Sequence, residues 1–112
     1  MVKDKPLKTI VFAGSGAIST ALGNILAADE SLTVWLLSIE EEVIASINQQ
    51  HVNSSYFPKI ALHPALKATA DKNVLHKADA LFLGIPSTAI ITYLHDIGGF
   101  LRPQTLLIKL AK

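Results

Sequence analysis

A glycine turn near the N-terminus is the feature of this sequence with the clearest chemical meaning. Gly14-Ser15-Gly16 follows an apolar, β-branched run at 7–12 and precedes residues with helical spacing. Gly14 would permit a tight turn, Gly16 would let the backbone approach a ligand, and the N-terminus of the next helix would favour negative charge. This order predicts the pyrophosphate-binding loop of a dinucleotide site. A turn without a ligand in an α/β domain is the alternative. Ser19 occupies the third position of the pattern, where a small residue is needed.

Acidic residues follow the second predicted strand, where a dinucleotide site needs a group to hold the ribose. Glu40, Glu41 and Glu42 lie about 25 residues after the glycine turn, close to the position of the acid that binds the ribose hydroxyls of NAD. Their charge would repel the 2′-phosphate of NADP, and no arginine lies nearby to accept it, so NAD is favoured over NADP. The alternative interpretation is that these glutamates complement the dipole of the helix that they begin.

The other residues with reactive side chains do not form a recognisable catalytic or metal-binding pattern. The chain has four histidines and no cysteine, and no two histidines have metal-ligand spacing. Asp96 follows His95, but neighbours on a helix point in different directions, so both are expected in solvent at a helix end. We predict no metal site and no histidine with a catalytic role; the histidines are His51, His63, His76 and His95.

Composition limits the class of protein and its partners. The chain has 112 residues and a net charge of +1 without a basic cluster, which argues against nucleic acid as a partner. Half of the residues are hydrophobic, but the longest apolar runs, such as 80–85, are far shorter than the ~18 residues of a membrane span. The N-terminus lacks a secretory cleavage pattern. We therefore expect one cytoplasmic domain over 1–112 that binds a small molecule.

Apolar periodicity predicts an alternation of strands and helices. Strands are predicted at 7–12, 32–37, 66–69, 80–83 and 105–110, and helices at 17–28, 40–50, 71–75 and 88–95. Asp71 and Ser87 are expected to cap the third and fourth helices. The stretch 51–63 is predicted to be a structured loop whose Tyr56 and Phe57 pack inward. This order indicates an α/β fold, a Rossmann-like doubly wound parallel sheet with helices on both faces.

The predicted topology brings distant loops to one edge of the sheet. In a parallel sheet with right-handed crossovers, all strands end on the same side, and ligands bind there. The glycine turn at 14–16, the segment Ile85-Pro86-Ser87 and the chain end at Lys112 fall on that edge. We therefore expect them to line one site.

Four segments also carry a family resemblance. They are Gly14-Ser15-Gly16 followed by Thr20-Ala21-Leu22, the loop segment 53–58 (NSSYFP), Thr69-Ala70-Asp71, and Ile85-Pro86-Ser87. On these segments, and over essentially its whole length, the chain resembles the N-terminal domain of bacterial-type glycerol-3-phosphate dehydrogenase. The Asn-x-x-Tyr-x-Pro pattern of 53–58 is the most specific, because related dehydrogenases share the glycine turn but not this loop.

The resemblance implies a reaction and a set of contacts. The family interconverts sn-glycerol 3-phosphate and dihydroxyacetone phosphate with NAD(P), and its cofactor contacts match these residues: Gly14, Ser15, Gly16, Ala17, Ile18, Ser38, Ile39, Glu40, Pro86, Ser87 and Lys112. Lys112 also matches a family lysine that contacts glycerol phosphate. The sequence departs from the family at several of these positions. Ala17 and Ile18 replace a serine and a tryptophan, although they still offer backbone N–H groups and an apolar wall.

Two further departures concern cofactor choice and helix packing. Ser38 or Ile39 replaces an arginine or histidine of the family, which again favours NAD over NADP, and Ser19 replaces the third glycine. These changes leave open a second hypothesis, a non-catalytic binding or interaction module with a degenerate cofactor site. A dehydrogenase of similar architecture that acts on a 2-hydroxy or 3-hydroxy acid is a third, against which the 53–58 loop counts.

The resemblance places the catalytic lysine and most substrate-binding residues of the family in a helical C-terminal domain, beyond these 112 residues. We therefore expect an apolar face on the last strand and on the helix after Ser87. Such a patch would favour a homo-oligomer.

The same expectation predicts that the 112-residue chain alone does not turn over its substrate. Hydride transfer needs both reactants held in register in a cleft without water. Absorbance of NADH in the presence of dihydroxyacetone phosphate measures this, and a steady decrease that depends on the protein would contradict the prediction.

Overall fold

The computed structural model describes residues 7–110, which form one parallel β-sheet with helices on both faces. The strands are β1 (Thr9–Ala13), β2 (Thr33–Leu37), β3 (Lys67–Thr69), β4 (Ala80–Leu83) and β5 (Leu106–Lys109). Their order across the sheet is β3-β2-β1-β4-β5. All four neighbouring pairs are parallel. The doubly wound Rossmann-like architecture predicted from the sequence is therefore confirmed.

The helices connect these strands. They are α1 (Ala17–Ala27), α2 (Glu41–Ala45), which continues as a π-helical turn (Ser46–Gln50), and α3 (Ile90–Ile97). Three short 3-10 segments lie at Lys72–Lys77, Ser87–Ala89 and Gly98–Phe100. The predicted strand at 80–83 and the start of α1 agree with the structure, and the other predicted strands begin or end one or two residues away. Such small differences at the ends of elements are ordinary.

The central strand β1 explains why its sequence is apolar at every position. Ile10 and Phe12 pack into a core on one face of the sheet, and Val11 and Ala13 into a core on the other. Successive side chains of a strand point to opposite faces, so a strand covered by helices on both sides needs apolar residues throughout. The first core contains residues from α1 and from the helical segment 41–50, and the second contains Leu75 and Ile97.

Two local predictions need correction. Tyr56 does not pack inward, since 47% of its surface is exposed; its hydrogen bond with the buried Asn53 side chain is made by the backbone N–H and not by the ring. Helical structure does begin at Ser87, but as a 3-10 turn, and α3 starts only at Ile90. Pro86, with an extended backbone at ψ 143°, takes the capping position that was predicted for Ser87. The cap predicted at Asp71 is confirmed, because its side chain accepts from the N–H of Asn73 at 2.9 Å.

The edge strand β5 leaves apolar surface uncovered. Leu106 and Leu107 are 51% and 47% exposed, and Ile91 on α3 is 78% exposed. The apolar face expected from the sequence on these two elements is present. Within 7–110, no helix is both long and apolar enough to cross a membrane.

An ion pair fastens the start of the sheet at the edge opposite the strand ends. The side chain of Asp79 accepts from the backbone N–H groups of Thr9 and Lys8, each at 2.9 Å, and Arg102 donates to Asp79 and to the carbonyl of Ala78 at 2.9 and 2.7 Å. The hydrogen bonds from Thr9 and Lys8, with a smaller effect of Arg102, hold the pKa of Asp79 below its ordinary value of 3.8.

These contacts of Asp79 predict that the free energy of unfolding decreases in acid. A carboxylate whose pKa is lower in the folded chain stabilises the fold above its unfolded pKa of 3.8, and that contribution disappears as the pH falls through the lowered pKa. We expect Asp79→Asn to reduce the free energy of unfolding in urea at neutral pH and to lose this difference at about pH 2. Glu30→Gln, at an exposed turn, is the control. An Asp79→Asn deficit of equal size at both pH values would contradict the assignment.

Candidate cofactor-binding site

The glycine turn between β1 and α1 depends on a backbone conformation at position 14 that only glycine adopts easily. Gly14 has φ +99°, and its N–H donates to the carbonyl of Leu37 at 2.8 Å. A Cβ atom at this position would lie 3.1 Å from the carbonyl oxygen of Gly84. Both the positive φ and the close approach of β4 therefore require glycine here.

Gly16 is required by neither of these constraints. Its backbone is extended, at φ −74° and ψ −170°, and it precedes α1 as the N-cap residue without a side-chain cap. No atom would lie within 4 Å of a Cβ at this position. The space beside Gly16 is therefore open, and the first turn of α1, which contains no acidic residue, faces it with its backbone N–H groups. This arrangement fits an anionic ligand that lies close to the backbone.

A buried asparagine holds the glycine turn from the other side. Asn53 is fully buried, and its Nδ2 donates to the carbonyl of Ser15 and to the hydroxyl of Thr20, both at 2.9 Å. Thr20 in turn donates to the same Ser15 carbonyl at 3.2 Å. The amide nitrogen thus links the glycine turn and the first turn of α1 by donating to one acceptor in each.

The other atom of the Asn53 amide shapes its own loop. Oδ1 accepts from the backbone N–H groups of Ser55 and Tyr56, both at 3.1 Å, and Asn53 and Phe57 form an isolated antiparallel bridge. The asparagine of the Asn-x-x-Tyr-x-Pro pattern therefore connects the 51–63 loop to the glycine turn. The loop and the turn are therefore held in a fixed relative position by this side chain.

Ser15, Ser38 and Glu40 form a ring of hydrogen bonds beside the turn. Glu40 donates its N–H to the Ser38 hydroxyl at 3.0 Å, and Ser15 donates to the Glu40 carboxylate at 3.0 Å. The Ser15 and Ser38 hydroxyls are 2.8 Å apart, and Ser38 must be the donor of that pair, since Ser15 gives its only proton to Glu40. The ring fixes one carboxylate oxygen of Glu40 next to the glycine turn.

These elements enclose an open groove of about 580 Å³ at the carboxyl edge of the sheet. One side is formed by the ends of β1 and β2, and the other by the segment after β4 and by α3. Its lining residues are Gly14, Ser15, Leu37, Ser38, Ile39, Glu40, Tyr56, Ile85, Pro86, Ala89, Thr92, Tyr93 and Asp96. Among these described residues, Glu40 and Asp96 are acidic and none is basic. Burial raises the pKa of the Tyr93 hydroxyl to about 12.

The residues predicted from the sequence fall into three groups. Gly14, Ser15, Ser38, Ile39, Glu40 and Pro86 line the groove. Gly16, Ala17, Ile18 and Ser87 are adjacent in the chain but outside that lining, and Ile18 is 58% exposed. Lys112 lies outside the described residues.

The sequence interpretation missed the α3 side of the groove. Thr92 and Asp96 line it, and Asp96 is also exposed to solvent, as expected. Their spacing of four residues, which places them on one face of a helix, was the available signal. Among residues 7–110, no group of three His, Asp or Glu side chains is arranged to hold a metal ion, and the histidines lie apart from the groove lining.

The Asn53 contacts predict a large effect of a small substitution. Asn53→Asp replaces the Nδ2 donor with an oxygen that faces the Ser15 carbonyl, so we expect a loss of about 2–4 kcal/mol in the free energy of unfolding, because buried polar groups lose their partners. Urea denaturation measures it. Asn73→Asp, at an exposed position, is the matched control. Equal free energies of unfolding for Asn53→Asp and the original chain would show that the hydrogen bonds of Asn53 do not stabilise the fold.

Comparison with known proteins agrees with this geometry. The family described as NAD-dependent glycerol-3-phosphate dehydrogenase N-terminus matches residues 9–112. The glycerol-3-phosphate dehydrogenase [NAD(P)+] of Streptomyces griseus is 40% identical over 96% of this chain and 32% of its own length. That of Hyphomonas neptunium is 35% identical over 94% of this chain and 31% of its own. The chain thus spans about a third of the length of these relatives.

Solved structures give the same result. Glycerol-3-phosphate dehydrogenase from Saccharomyces cerevisiae superimposes with a TM-score of 0.83 at 25% identity, over 96% of this chain and 34% of that one. The Plasmodium falciparum enzyme gives 0.78 at 27% identity, over 96% and 32%. An (S)-3-hydroxybutyryl-CoA dehydrogenase, at 13% identity and a TM-score of 0.68, shares the fold alone. The chain belongs to the NAD-dependent glycerol-3-phosphate dehydrogenase family, and it corresponds to the N-terminal domain of that family.

Proposed function

We propose that this chain binds NAD in the groove at the carboxyl edge of its sheet, as part of a protein that interconverts sn-glycerol 3-phosphate and dihydroxyacetone phosphate. The observation that carries the proposal is the open backbone at Gly16. The glycine there is not required by any neighbouring protein atom, and it lies before a helix whose N-terminus has no side-chain cap. A pyrophosphate group supplies the negative charge and the acceptor oxygens that such a helix end lacks.

The ribose of the adenosine half is assigned to Glu40. One carboxylate oxygen accepts from Ser15, which leaves the second oxygen to accept from the vicinal ribose hydroxyls. Because the ring with Ser15 and Ser38 fixes the carboxylate before the ligand arrives, little side-chain entropy is lost on binding. This supports the role of Glu40 as a ribose ligand over its role as a helix-dipole partner alone.

Charge in the groove favours NAD over NADP. Glu40 and Asp96 lie among its described lining residues, which include no lysine, arginine or histidine. A 2′-phosphate would bring about two further negative charges next to Glu40 without a cation to pair with. The exposed Ile39, with 92% of its surface accessible, offers an apolar surface for a base and no charge for a phosphate.

NAD, when bound, supplies the hydride-transfer chemistry, and the residues of this chain bind and orient it. The proposed contacts are Gly14, Ser15, Gly16, Ala17 and Ile18 at the turn, Ser38, Ile39 and Glu40 after β2, and Pro86 and Ser87 after β4. We also propose that Lys112 contacts the cofactor and the phosphate of glycerol phosphate, because it matches the family lysine with that role; it lies outside the described residues.

A titration with NADH and NADPH tests this proposal. We expect the purified chain to bind NADH more tightly than NADPH by calorimetry. Glu40→Gln should weaken NADH binding about tenfold, which corresponds to about 1.4 kcal/mol for the lost hydrogen bond to the ribose. It should also reduce the preference for NADH over NADPH.

Glu42→Gln on the first turn of α2 is the matched control, because it removes the same charge from the same helix start outside the groove lining. An equal effect of both substitutions would indicate a general electrostatic role. Failure of the original chain to bind either dinucleotide would overturn the proposal in favour of an interaction module.

A further inference from the structure

Ser19, on the first turn of α1, and Gly84, at the end of β4, are packed against each other. Ser19 is 1% exposed, and its hydroxyl has no hydrogen-bond partner. A Cβ atom at Gly84 would collide with this hydroxyl. Gly84 lies directly after Leu83, the last residue of β4, and donates its N–H to the carbonyl of Ala13 at 3.1 Å.

The collision is caused by the hydroxyl alone. The Cβ of Ser19 would be 3.5 Å from a Cβ at Gly84, which is an ordinary van der Waals contact. The only other close atom is the carbonyl oxygen of Ala13, at 3.2 Å. An alanine at position 84 is therefore excluded mainly because position 19 is a serine.

We propose that Gly84 is a positioning residue of the cofactor site: directly after β4, it supplies the space that the third glycine of the turn pattern usually supplies on the helix. The requirement is the same in both arrangements, because α1 must approach the sheet closely for its N-terminus to reach the pyrophosphate. In this chain the larger residue is on the helix and the smaller one follows the strand. This inference rests on the proposed NAD site.

The carbonyl of Ser15, four residues before Ser19, does not satisfy the Ser19 hydroxyl, because it accepts from Thr20 and from Asn53. Gly84 also lies against the turn itself, since its carbonyl oxygen is 3.1 Å from where a Cβ of Gly14 would be. A side chain at Gly84 would therefore displace the start of α1 and the glycine turn together, and with them the groups that face the pyrophosphate.

The test is a set of four chains: the original, Gly84→Ala, Ser19→Ala and the double variant. Calorimetry measures their affinities for NADH, ADP and adenosine. We expect Gly84→Ala to weaken NADH and ADP about tenfold and to leave adenosine unchanged, because only the first two carry a pyrophosphate.

Ser19→Ala should bind as the original does, because it removes an unpaired buried hydroxyl. The double variant should recover NADH affinity to within about threefold of the original, because only the contact of the added Cβ at position 84 with the Ala13 carbonyl oxygen, at 3.2 Å, remains. Three outcomes would each overturn the inference. They are normal NADH affinity of Gly84→Ala, a double variant that binds NADH as weakly as Gly84→Ala does, and an equal loss of affinity for adenosine.

Urea unfolding of the same four chains separates this inference from the proposed function. Binding of no dinucleotide by the original chain would refute the NAD site. The energetic coupling between positions 19 and 84 could then still be calculated from the free energies of unfolding of the four chains. A double variant that is more stable than the sum of the two single effects predicts would support the packing relation, and strictly additive effects of the two substitutions would refute it.

Discussion

The amide of Asn53 is the contact on which the arrangement of the site depends. It is buried without exposure to solvent, and it joins the carbonyl of Ser15 and the hydroxyl of Thr20 to the backbone of its own loop. A buried amide is stabilising only when its donors and acceptors all find partners. The glycine turn, the first turn of α1 and the 51–63 loop must therefore take their positions together, which gives the glycine-turn side of the groove a single shape.

Two further contacts extend this order to the rest of the groove. The ring of Ser15, Ser38 and Glu40 connects the turn to the end of β2, and the packing of Ser19 on Gly84 connects α1 to the end of β4. Each contact joins elements that are far apart in sequence, since the end of β1 is the centre of a parallel sheet and has a strand on both sides. The topology thus concentrates the functional groups, and the small polar residues fix their distances.

Two features beside the glycine turn are unusual for a folded interior: the backbone conformation of Gly14 and the unpaired hydroxyl of Ser19. Gly14 has a backbone conformation that other residues avoid, and the Ser19 hydroxyl is buried without a partner. Similar features occur away from the groove, since His51 has φ 59° and a buried Nδ1 without a partner. The two hydrophobic cores, by contrast, contain regular alternating apolar residues on β1, β2 and β4.

The sequence by itself determined the elements, the parallel topology and the β1–α1 and β2 sides of the groove, because these depend on local periodicity, on glycine chemistry and on residues next to strand ends. Gly14 and Glu40, for example, can be recognised from their residue types and from their positions shortly after predicted strands. Only the tertiary structure decided that Asp96 lines the groove, that Tyr56 is exposed and that Ser19 packs on Gly84. The physical reason is that these three outcomes depend on how a helix or loop is set against a distant strand, and no local pattern encodes that distance.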